Sequence, residues 1–425
     1  MHDAVVIGAG HNGLVAANVL ADAGWSVLVL EAEDEPGGAL RSGELIEPGF
    51  VHDRFSAFYP LAAASPVFRA LGLDIPFRHG PLVLAHPAED GSCPALSRDV
   101  HESADSLGAQ WPELMEVWKR IEPAVLRGMT TPFPQVRAAL QLSLEPAAIQ
   151  LLRPFGSDLA RRLIAGNALH TDIPPRSLLG RGFGLMLTAF AQRYGYPCIE
   201  GGAGRLTGAL VERARARDVE FRFGERATAL PHARRAVLAA VDIWELGRLL
   251  GRPEHVPPDP DTVKVDWTLD GPAPWAAEAA RRSPVVHVGE EGSFVLFGQY
   301  SMADPTRSPA GKDTAWAYSH TVASADAIEE RVERLAPGFG SLIRGRHVQH
   351  LPPGRVNGGT ARRQLVFRPR FGRPTIAEGV YLASMSAHPG GGVHGAPGWI
   401  AAQAALRSAS RRRARGLASF TISSR

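Results

Sequence analysis

At 425 residues the chain is longer than one compact core normally supports, so we expect two domains that share an interface. Hydrophobic residues make up 45% and charged residues 21%, which is typical of folded globular proteins and excludes wholesale disorder. The formal charge of +3, from 46 basic and 43 acidic side chains, is too small for the clustered basic surface of a nucleic-acid-binding protein. We therefore expect no nucleic-acid partner.

The cysteines and the apolar stretches further limit the class of protein to which the chain can belong. The two cysteines, Cys93 and Cys198, have neither CxxC pairing nor metal-ligand spacing, so no redox disulfide and no metal site are predicted. A strand follows Met1 without a basic, apolar leader, which predicts a cytoplasmic location. The most apolar stretch, 178–191, is interrupted by glycine and arginine, so we expect no membrane span and leave peripheral membrane contact open.

The first thirty residues predict a β-α-β unit, with apolar strands at 4–7 and 26–30 around a helix at 14–23. Three glycines of the string GAGHNG stand where strand becomes helix, namely Gly8, Gly10 and Gly13. They allow a tight turn, close approach of a pyrophosphate, and close packing of helix on strand. Glu31 ends the second strand at the distance expected of a ribose acceptor, and its charge disfavours the 2′-phosphate of NADP. The motif predicts binding of the ADP part of FAD or NAD.

Two further glycine segments could contact a longer dinucleotide. Gly37 and Gly38, followed by Arg41, combine a backbone turn with a cation, although an ordinary surface turn explains the spacing equally well. The segment 389–395 carries four glycines between a predicted strand at 379–384 and a predicted helix at 399–409. Its free N–H groups would face an electron-rich ligand edge and would stabilise negative charge on a reduced flavin.

The sequence gives little evidence for any other kind of catalytic site. His11, His52, His388 and His394 flank these loops, and packing or capping explains them better than catalysis. Neither a Ser-His-Asp order nor an HExxH string occurs, and Asp304 before proline is typical of a turn. The residues do not favour a hydrolase.

The rest of the chain predicts an interrupted domain organisation. Residues 67–197 indicate a mostly helical insertion, with amphipathic stretches at 111–121 and 136–144. A helix at 206–215 and a strand at 219–223 then return to the first sheet. A second, sheet-containing domain is predicted from four alternating or apolar strands, at 263–269, 285–288, 294–297 and 314–320.

With these motifs in place, the chain resembles the phytoene dehydrogenase-like flavoprotein family over nearly its whole length. The most specific stretches are VVIGAGHNGLVAANVLADAGWSVLVLEAEDEPGGALRS and PGGGVHGAPGWIAAQAAL, and weaker ones are HDRFSAFYPLAAASP, GGAGRLTGALVERARARDVEFRFG, TVKVDWTLDGPAPW, SMADPTRSPAG and RQLVFRP. The resemblance implies an α/β fold in which a discontinuous Rossmann-like FAD-binding domain joins a mixed sheet-plus-helix substrate domain. The expected divisions are 1–66, 198–245 and 375–412 for the FAD-binding domain, 67–197 and 246–374 for the substrate domain, and 413–425 for a basic polar tail.

The resemblance also implies FAD as cofactor, with an ADP half held by the N-terminal motifs and an isoalloxazine near the C-terminal loop. Taken with the spacing, the expected cofactor-binding residues are Gly8, Gly10, His11, Asn12, Gly13, Glu31, Gly37, Gly38, Arg41, Gly391, Gly392 and Val393. The implied reaction is oxidation of a C–H bond in a lipophilic small molecule, with an unidentified electron acceptor and with no catalytic side chain assigned.

The sequence departs from this family by being shorter after Leu230, before Phe294 and before Asn357. One alternative is therefore a degenerate flavin-binding or scaffold protein without turnover. Another is an NAD-dependent dehydrogenase that uses only the N-terminal motif, which leaves the C-terminal glycine loop without a role.

Overall fold

The computed structural model describes residues 1–55, 57–131, 157–253, 256–258, 260–352 and 374–422, with side chains as far as residue 412. The predicted helix at 136–144 and the stretch RQLVFRP lie outside the described residues.

Most strands of the described chain are short. They are β1 Ala4–Ile7, β2 Val27–Leu30, β3 Ser42–Gly43, β4 His52–Asp53, β5 Phe77–Arg78, β6 Leu84–Ala85, β7 Ala95–Leu96, β8 Cys198–Ile199, β9 Glu220–Arg222, β10 Ala236–Ala239, β11 Thr262–Leu269, β12 Val285–Val288, β13 Val295–Gln299, β14 Asp313–Ser319, β15 Ile343–Leu351, β16 Thr375–Ala377 and β17 Val380–Leu382.

The helices alternate with these strands and also form a separate layer in the middle of the chain. They are α1 His11–Asp22, α2 Pro60–Ala64, α3 Pro66–Ala70, α4 Val100–Leu107, α5 Trp111–Thr130, α6 Asp158–Ala168, α7 Leu178–Tyr194, α8 Gly204–Arg215, α9 Ile243–Leu249, α10 Glu278–Arg281, α11 Ala325–Leu335, α12 Phe339–Leu342 and α13 Ala396–Ile422, with a 3-10 turn at Pro305–Arg307.

The first sheet has six strands in the order β16-β17-β10-β1-β2-β9. All neighbours are parallel except the edge pair β16–β17. The central strands are continuous apolar runs such as AVVI and VLVL because helices cover both faces of a parallel sheet. Helices α1, α8 and α13 contribute to the main core on this sheet. Its strands come from three separated parts of the chain, as predicted for residues 4–30, 219–223 and 379–384.

The second sheet has seven strands in the order β15-β11-β14-β13-β12-β6-β7. Strand β11 alternates along its length: Val263, Val265 and Trp267 pack in a core that includes α11. Lys264 and Asp266 therefore face the opposite side of the sheet, where Lys264 Nζ donates to the carbonyl of Asp53 on β4. Every residue of β11 is buried, so both faces of this sheet are covered.

Two details differ from the sequence predictions. The mostly helical insertion at 67–197 also contains β6 and β7, which extend the second sheet and which are too short to produce a periodic pattern. Helix α13 is longer than the predicted 399–409 and continues to Ile422, inside the segment predicted as a polar tail. None of the helices in the described parts combines the length and the apolar character required to cross a bilayer.

Candidate functional site

A cavity of about 700 Å³ lies at the carboxyl edge of the first sheet, where ligands bind in open α/β folds. Loops that follow β1, β2, β10 and β17 meet there because the carboxyl ends of parallel strands share one edge. The cavity is lined by Gly8, Gly10, His11, Asn12, Gly13, Glu31, Gly38, Ala39, Arg226, Ala240, Val241, Asp242, Trp244, Glu245, Arg248, Ser384 and Met385.

The three glycines of the first loop differ in what a side chain would meet. At Gly13 a Cβ atom would lie 2.1 Å from the Gly8 carbonyl oxygen, so the α1–β1 contact excludes any side chain. Gly8 adopts a positive φ of +96°, which favours glycine. Gly10 has an extended backbone at φ −67°, and a Cβ there would meet nothing within 4 Å. The absence of a side chain at Gly10 therefore leaves an open space beside the backbone, and a bound ligand can occupy it.

Glu31 is held rigidly at the rim of this cavity. It is 9% exposed, and its carboxylate accepts hydrogen bonds from the backbone N–H groups of Ala9 at 2.6 Å and Glu33 at 3.0 Å. These bonds fix the carboxylate beside the glycine loop. The remaining acceptor sites of the two oxygens suit the hydroxyl groups of a ribose.

The segment after Glu31 runs alongside the first loop. The Gly37 N–H donates to the Ala9 carbonyl at 2.9 Å, and a Cβ at Gly38 would lie 3.3 Å from the Gly10 Cα. Arg41 Nε donates to the Gly38 carbonyl at 3.0 Å, which closes this turn. The structure thus places the second glycine turn against the first, and not at a separate surface.

The C-terminal glycine loop lies next to the same site, because the Gly392 backbone is close enough to the His11 ring to oppose the lowering of its pKa by burial. At Gly398, in the first turn of α13, a Cβ would lie only 1.9 Å from the Asn12 carbonyl oxygen, so α13 begins in direct contact with α1. The two glycine loops, separated by almost the whole chain, therefore lie side by side.

Two buried histidines support the C-terminal loop in the neutral state. His394 Nδ1 accepts from the Ala396 N–H at 3.2 Å, so its proton is on Nε2, which faces the Gly391 carbonyl at 3.3 Å. Burial lowers the pKa of His394 to about 3 and that of His11 to about 4. The other flanking histidines bond backbone carbonyls, His52 that of Trp267 and His388 that of Gly128, which suits the predicted packing role.

The residues of this cavity fit a dinucleotide cofactor. Two buried polar atoms that line it, His11 Nε2 and Asn12 Oδ1, have no hydrogen-bond partner among the described residues, and a ligand could supply one. Residues 3–143 match the sequence model of the family described as "DAO: FAD dependent oxidoreductase". This segment is an FAD-dependent oxidoreductase domain. FAD is its cofactor.

Curated relatives of this FAD-dependent oxidoreductase confirm the resemblance drawn from the sequence. The mouse pyridine nucleotide-disulfide oxidoreductase domain-containing protein 2 is 23% identical, and the match covers 96% of this chain and 93% of that protein. Phytoene dehydrogenase of Streptomyces griseus is 28% identical over 68% of this chain and 61% of its own length. The mouse alignment spans 548 positions, more than the 425 residues of the chain, so this chain is the shorter one within the aligned region.

Solved structures share the fold at low sequence identity. Cyclohexylamine oxidase from Brevibacterium oxydans superposes with a TM-score of 0.58 at 16% identity, covering 96% of this chain and 99% of that one. An oxidoreductase from Methanosarcina mazei gives a TM-score of 0.59 at 14% identity, with 95% and 99% covered. These likenesses confirm the predicted combination of a Rossmann-like FAD domain with a second, mixed domain.

The predicted site residues fall into three groups in this flavoprotein. Those that line the cavity are Gly8, Gly10, His11, Asn12, Gly13, Glu31 and Gly38. Gly37 and Arg41 support the turn beside it, whereas Gly391, Gly392 and Val393 form the neighbouring C-terminal loop. Their individual contacts with FAD stay predictions.

Sequence reasoning missed several residues of the site. Trp244 and Arg248 reach the cavity from α9, which carries no recognisable motif. Asp304 does cap a turn, as predicted, but it also pairs with Arg307 in a buried ionic cluster with Asp53. The strings HDRF and SMADPTRSP contain these three residues, and only their resemblance to the family marked them.

Proposed function

We propose that this flavoprotein is a dehydrogenase that removes a hydride from a C–H bond of a lipophilic small molecule, and that a separate electron acceptor completes its cycle. When bound, FAD supplies the hydride acceptor for such a reaction. The chain itself has to bind an apolar substrate beside the C-terminal glycine loop and keep water away from it.

The observation that carries this proposal is the apolar surface next to that loop. A Cβ at Gly392 would lie 2.7 Å from Leu61 Cδ1, so Leu61 packs directly on the loop. Leu61 and Phe58 belong to the fringe of the cluster formed with helices α5 to α7. Phe58 stacks with Tyr300 and Trp316, at ring-centroid distances of 5.8 and 6.3 Å. Aromatic and aliphatic side chains of this kind favour an apolar substrate over a charged one.

The backbone of the loop would interact with the group that becomes electron-rich during the reaction. It precedes α13, and the N-terminus of a helix presents free N–H groups and a positive dipole end. Neutral His11 and His394 support this backbone without adding a charge to the apolar surroundings. We infer that, with FAD bound, the backbone donors of this loop would stabilise the negative charge that the flavin gains when it accepts the substrate's hydride.

Names of two relatives support the reaction class. Besides the phytoene dehydrogenase, one of the limonene dehydrogenase subunits of Castellaniella defragrans is 33% identical over 28% of this chain, which is 22% of that protein. The names of both proteins describe dehydrogenases, and limonene and phytoene are hydrocarbons. Loss of a hydride from carbon is the step that such substrates offer.

The test is anaerobic reduction of the FAD-loaded protein. We expect a monoterpene or polyene hydrocarbon to bleach the visible flavin absorbance, and a short primary amine to leave it unchanged. Bleaching by the amine alone would contradict the lipophilic substrate class. A folded, colourless protein that takes up no added FAD would instead favour the degenerate scaffold, for which the shortened regions of the chain provide the rationale.

A further inference from the structure

Asp53, on β4, lies where β11 of the second sheet meets the β3–β4 pair and the start of α8, and it is fully buried. Three groups of the substrate domain reach it: the Tyr300 hydroxyl accepts from its N–H at 3.3 Å, Lys264 Nζ donates to its carbonyl at 3.1 Å, and Arg307 donates to its carboxylate. Both the backbone and the side chain of this one residue are therefore held by the second domain.

The same carboxylate holds elements of the FAD-binding domain. Its Oδ1 accepts from the Ser42 hydroxyl at 2.5 Å and from the Ala203 N–H, immediately before α8, at 2.8 Å. Ser42 Oγ in turn accepts from the Gly204 N–H at 3.0 Å. Strand β4 pairs with β3, so Ser42 stands opposite Asp53 in register.

Ser42 directly follows the segment 37–41, which runs beside the first glycine loop. The backbone on both sides is tied to the same elements, because the Arg54 N–H donates to the Arg41 carbonyl and Thr207 Oγ1 to the Leu40 carbonyl, at 2.8 and 2.7 Å. The position of this cofactor segment therefore depends on β4 and on the first turns of α8.

Arg307 binds the second oxygen of the Asp53 carboxylate, the one that Ser42 and Ala203 do not bind. Its guanidinium is fully buried, bonds Asp53 Oδ2 at 2.8 Å and Asp304 Oδ2 at 3.0 Å, and lies 4.6 Å from the centroid of the Tyr300 ring. Such a planar fork bridges two carboxylates in one orientation only. Removing one member of a buried charged pair leaves the other without compensation, so the arrangement is sensitive to either partner.

We propose that Asp53 and Arg307 are positioning residues for the cofactor: Arg307 orients the Asp53 carboxylate, which holds Ser42 and the adjoining segment 37–41 against the first glycine loop. The pair thereby couples the substrate domain to retention of FAD. The inference rests on FAD binding alone, and it is tested without any substrate.

The experiment compares Asp53→Asn with Glu122→Gln in the full-length protein. Glu122 is a matched control because its carboxylate is also buried and also accepts a hydrogen bond from an arginine, Arg193. Trp118 Nε1 and the Tyr194 hydroxyl are its other donors. None of these residues belongs to the cofactor segment 37–41. We expect Asp53→Asn to raise the Kd for FAD at least about tenfold and to shift the visible spectrum of the bound flavin. Glu122→Gln should lower the melting temperature but leave both properties within about twofold of the parent protein.

Two gentler variants keep the proposal testable if Asp53→Asn does not fold. Ser42→Ala removes only the link between the carboxylate and the segment, and Arg307→Lys keeps the charge but cannot bridge both carboxylates. We expect both to weaken FAD binding by a smaller factor, and Ser42→Ala to add little to Asp53→Asn when the two are combined. An unchanged Kd in Ser42→Ala and Arg307→Lys, or strictly multiplicative effects in the double variant, would overturn the proposal. Either result leaves the proposed substrate class untouched.

Discussion

At the scale of single residues, Gly10 and Gly13 separate cofactor binding from folding. Gly10→Val introduces a side chain into open space at an ordinary backbone conformation, so we expect unchanged stability of the apoprotein but at least about tenfold weaker FAD binding, which is about 1.4 kcal/mol. Gly13→Ala drives a methyl group into the Gly8 carbonyl, so it should destabilise the apoprotein itself. Fluorescence titration with FAD and urea unfolding measure the two effects. Equal loss of stability in both variants would contradict this division.

The two thiols provide a second test at this scale. Burial raises the pKa of Cys93 to about 11 and that of Cys198 to about 12, so both remain protonated at pH 8. Since the thiolate is the reactive species, we expect a disulfide reagent to label neither cysteine in the folded protein and both after denaturation. Rapid labelling of native protein at Cys198 would show that the β8 region opens.

At the scale of elements, a histidine cluster connects the second sheet to the helical layer. His287 on β12 bonds His170 after α6, with Nε2 atoms 3.0 Å apart, and its ring lies 5.4 Å from that of His86 after β6. Gly166 in α6 makes room for the cluster, because a Cβ there would lie 2.4 Å from His287 Nδ1. Burial lowers the pKa of His86 to about 4 and of His170 to about 3, with His320 adding to the effect on His170, and it lowers the pKa of His287 well below its usual value.

This cluster should make the protein sensitive to acid. Above about pH 6.5 these histidines are neutral in both states and do not affect stability. As the pH falls below that value, the unfolded chain binds protons that the folded cluster does not, so the free energy of unfolding decreases. Each histidine contributes a slope that approaches about 1.4 kcal/mol per pH unit, until its folded-state pKa is reached.

Urea unfolding between pH 7.5 and 4.5 measures this slope. His287→Leu should make it shallower, whereas His101→Gln, at an exposed position, serves as the control and should leave it unchanged. A slope unaffected by His287→Leu would mean that other groups cause the acid sensitivity.

At the scale of the whole molecule, cofactor binding and folding should be coupled. The first sheet assembles from strands at 4–30, 220–239 and 375–382, so its ligand-binding edge exists only when the chain has folded from end to end. Free FAD at a hundred times its Kd should therefore raise the free energy of unfolding by about 2.7 kcal/mol. The Gly10→Val variant should show little of this increase. An unchanged unfolding midpoint in the presence of FAD would contradict binding to the native fold.

Local patterns in the sequence were sufficient for the ADP-binding motif and for most of the first sheet, whereas the choice of FAD over NAD came from the family resemblance. The string GAGHNG, the acidic residue Glu31 and the continuous apolar runs each reflect a rule that acts over a few residues, namely turn geometry, strand burial and helix packing. For the same reason they predicted a second glycine loop at 389–395, although nothing local indicated that it lies beside His11. The two-residue strands β6 and β7 escaped prediction because so short a segment has no period.

Only the tertiary structure decided the contacts between distant parts of the chain. Asp53 and Arg307 are 254 residues apart in sequence, and neither one alone differs from an ordinary surface charge. Their burial results from the packing of the second sheet against β3, β4 and the start of α8. The histidine cluster arises in the same way, from one strand and two loops. Sequence therefore determined which cofactor is bound, whereas folding determined which side chains hold its binding segment in place. The sequence could not show those side chains, because contacts between distant residues produce no periodic pattern along the chain.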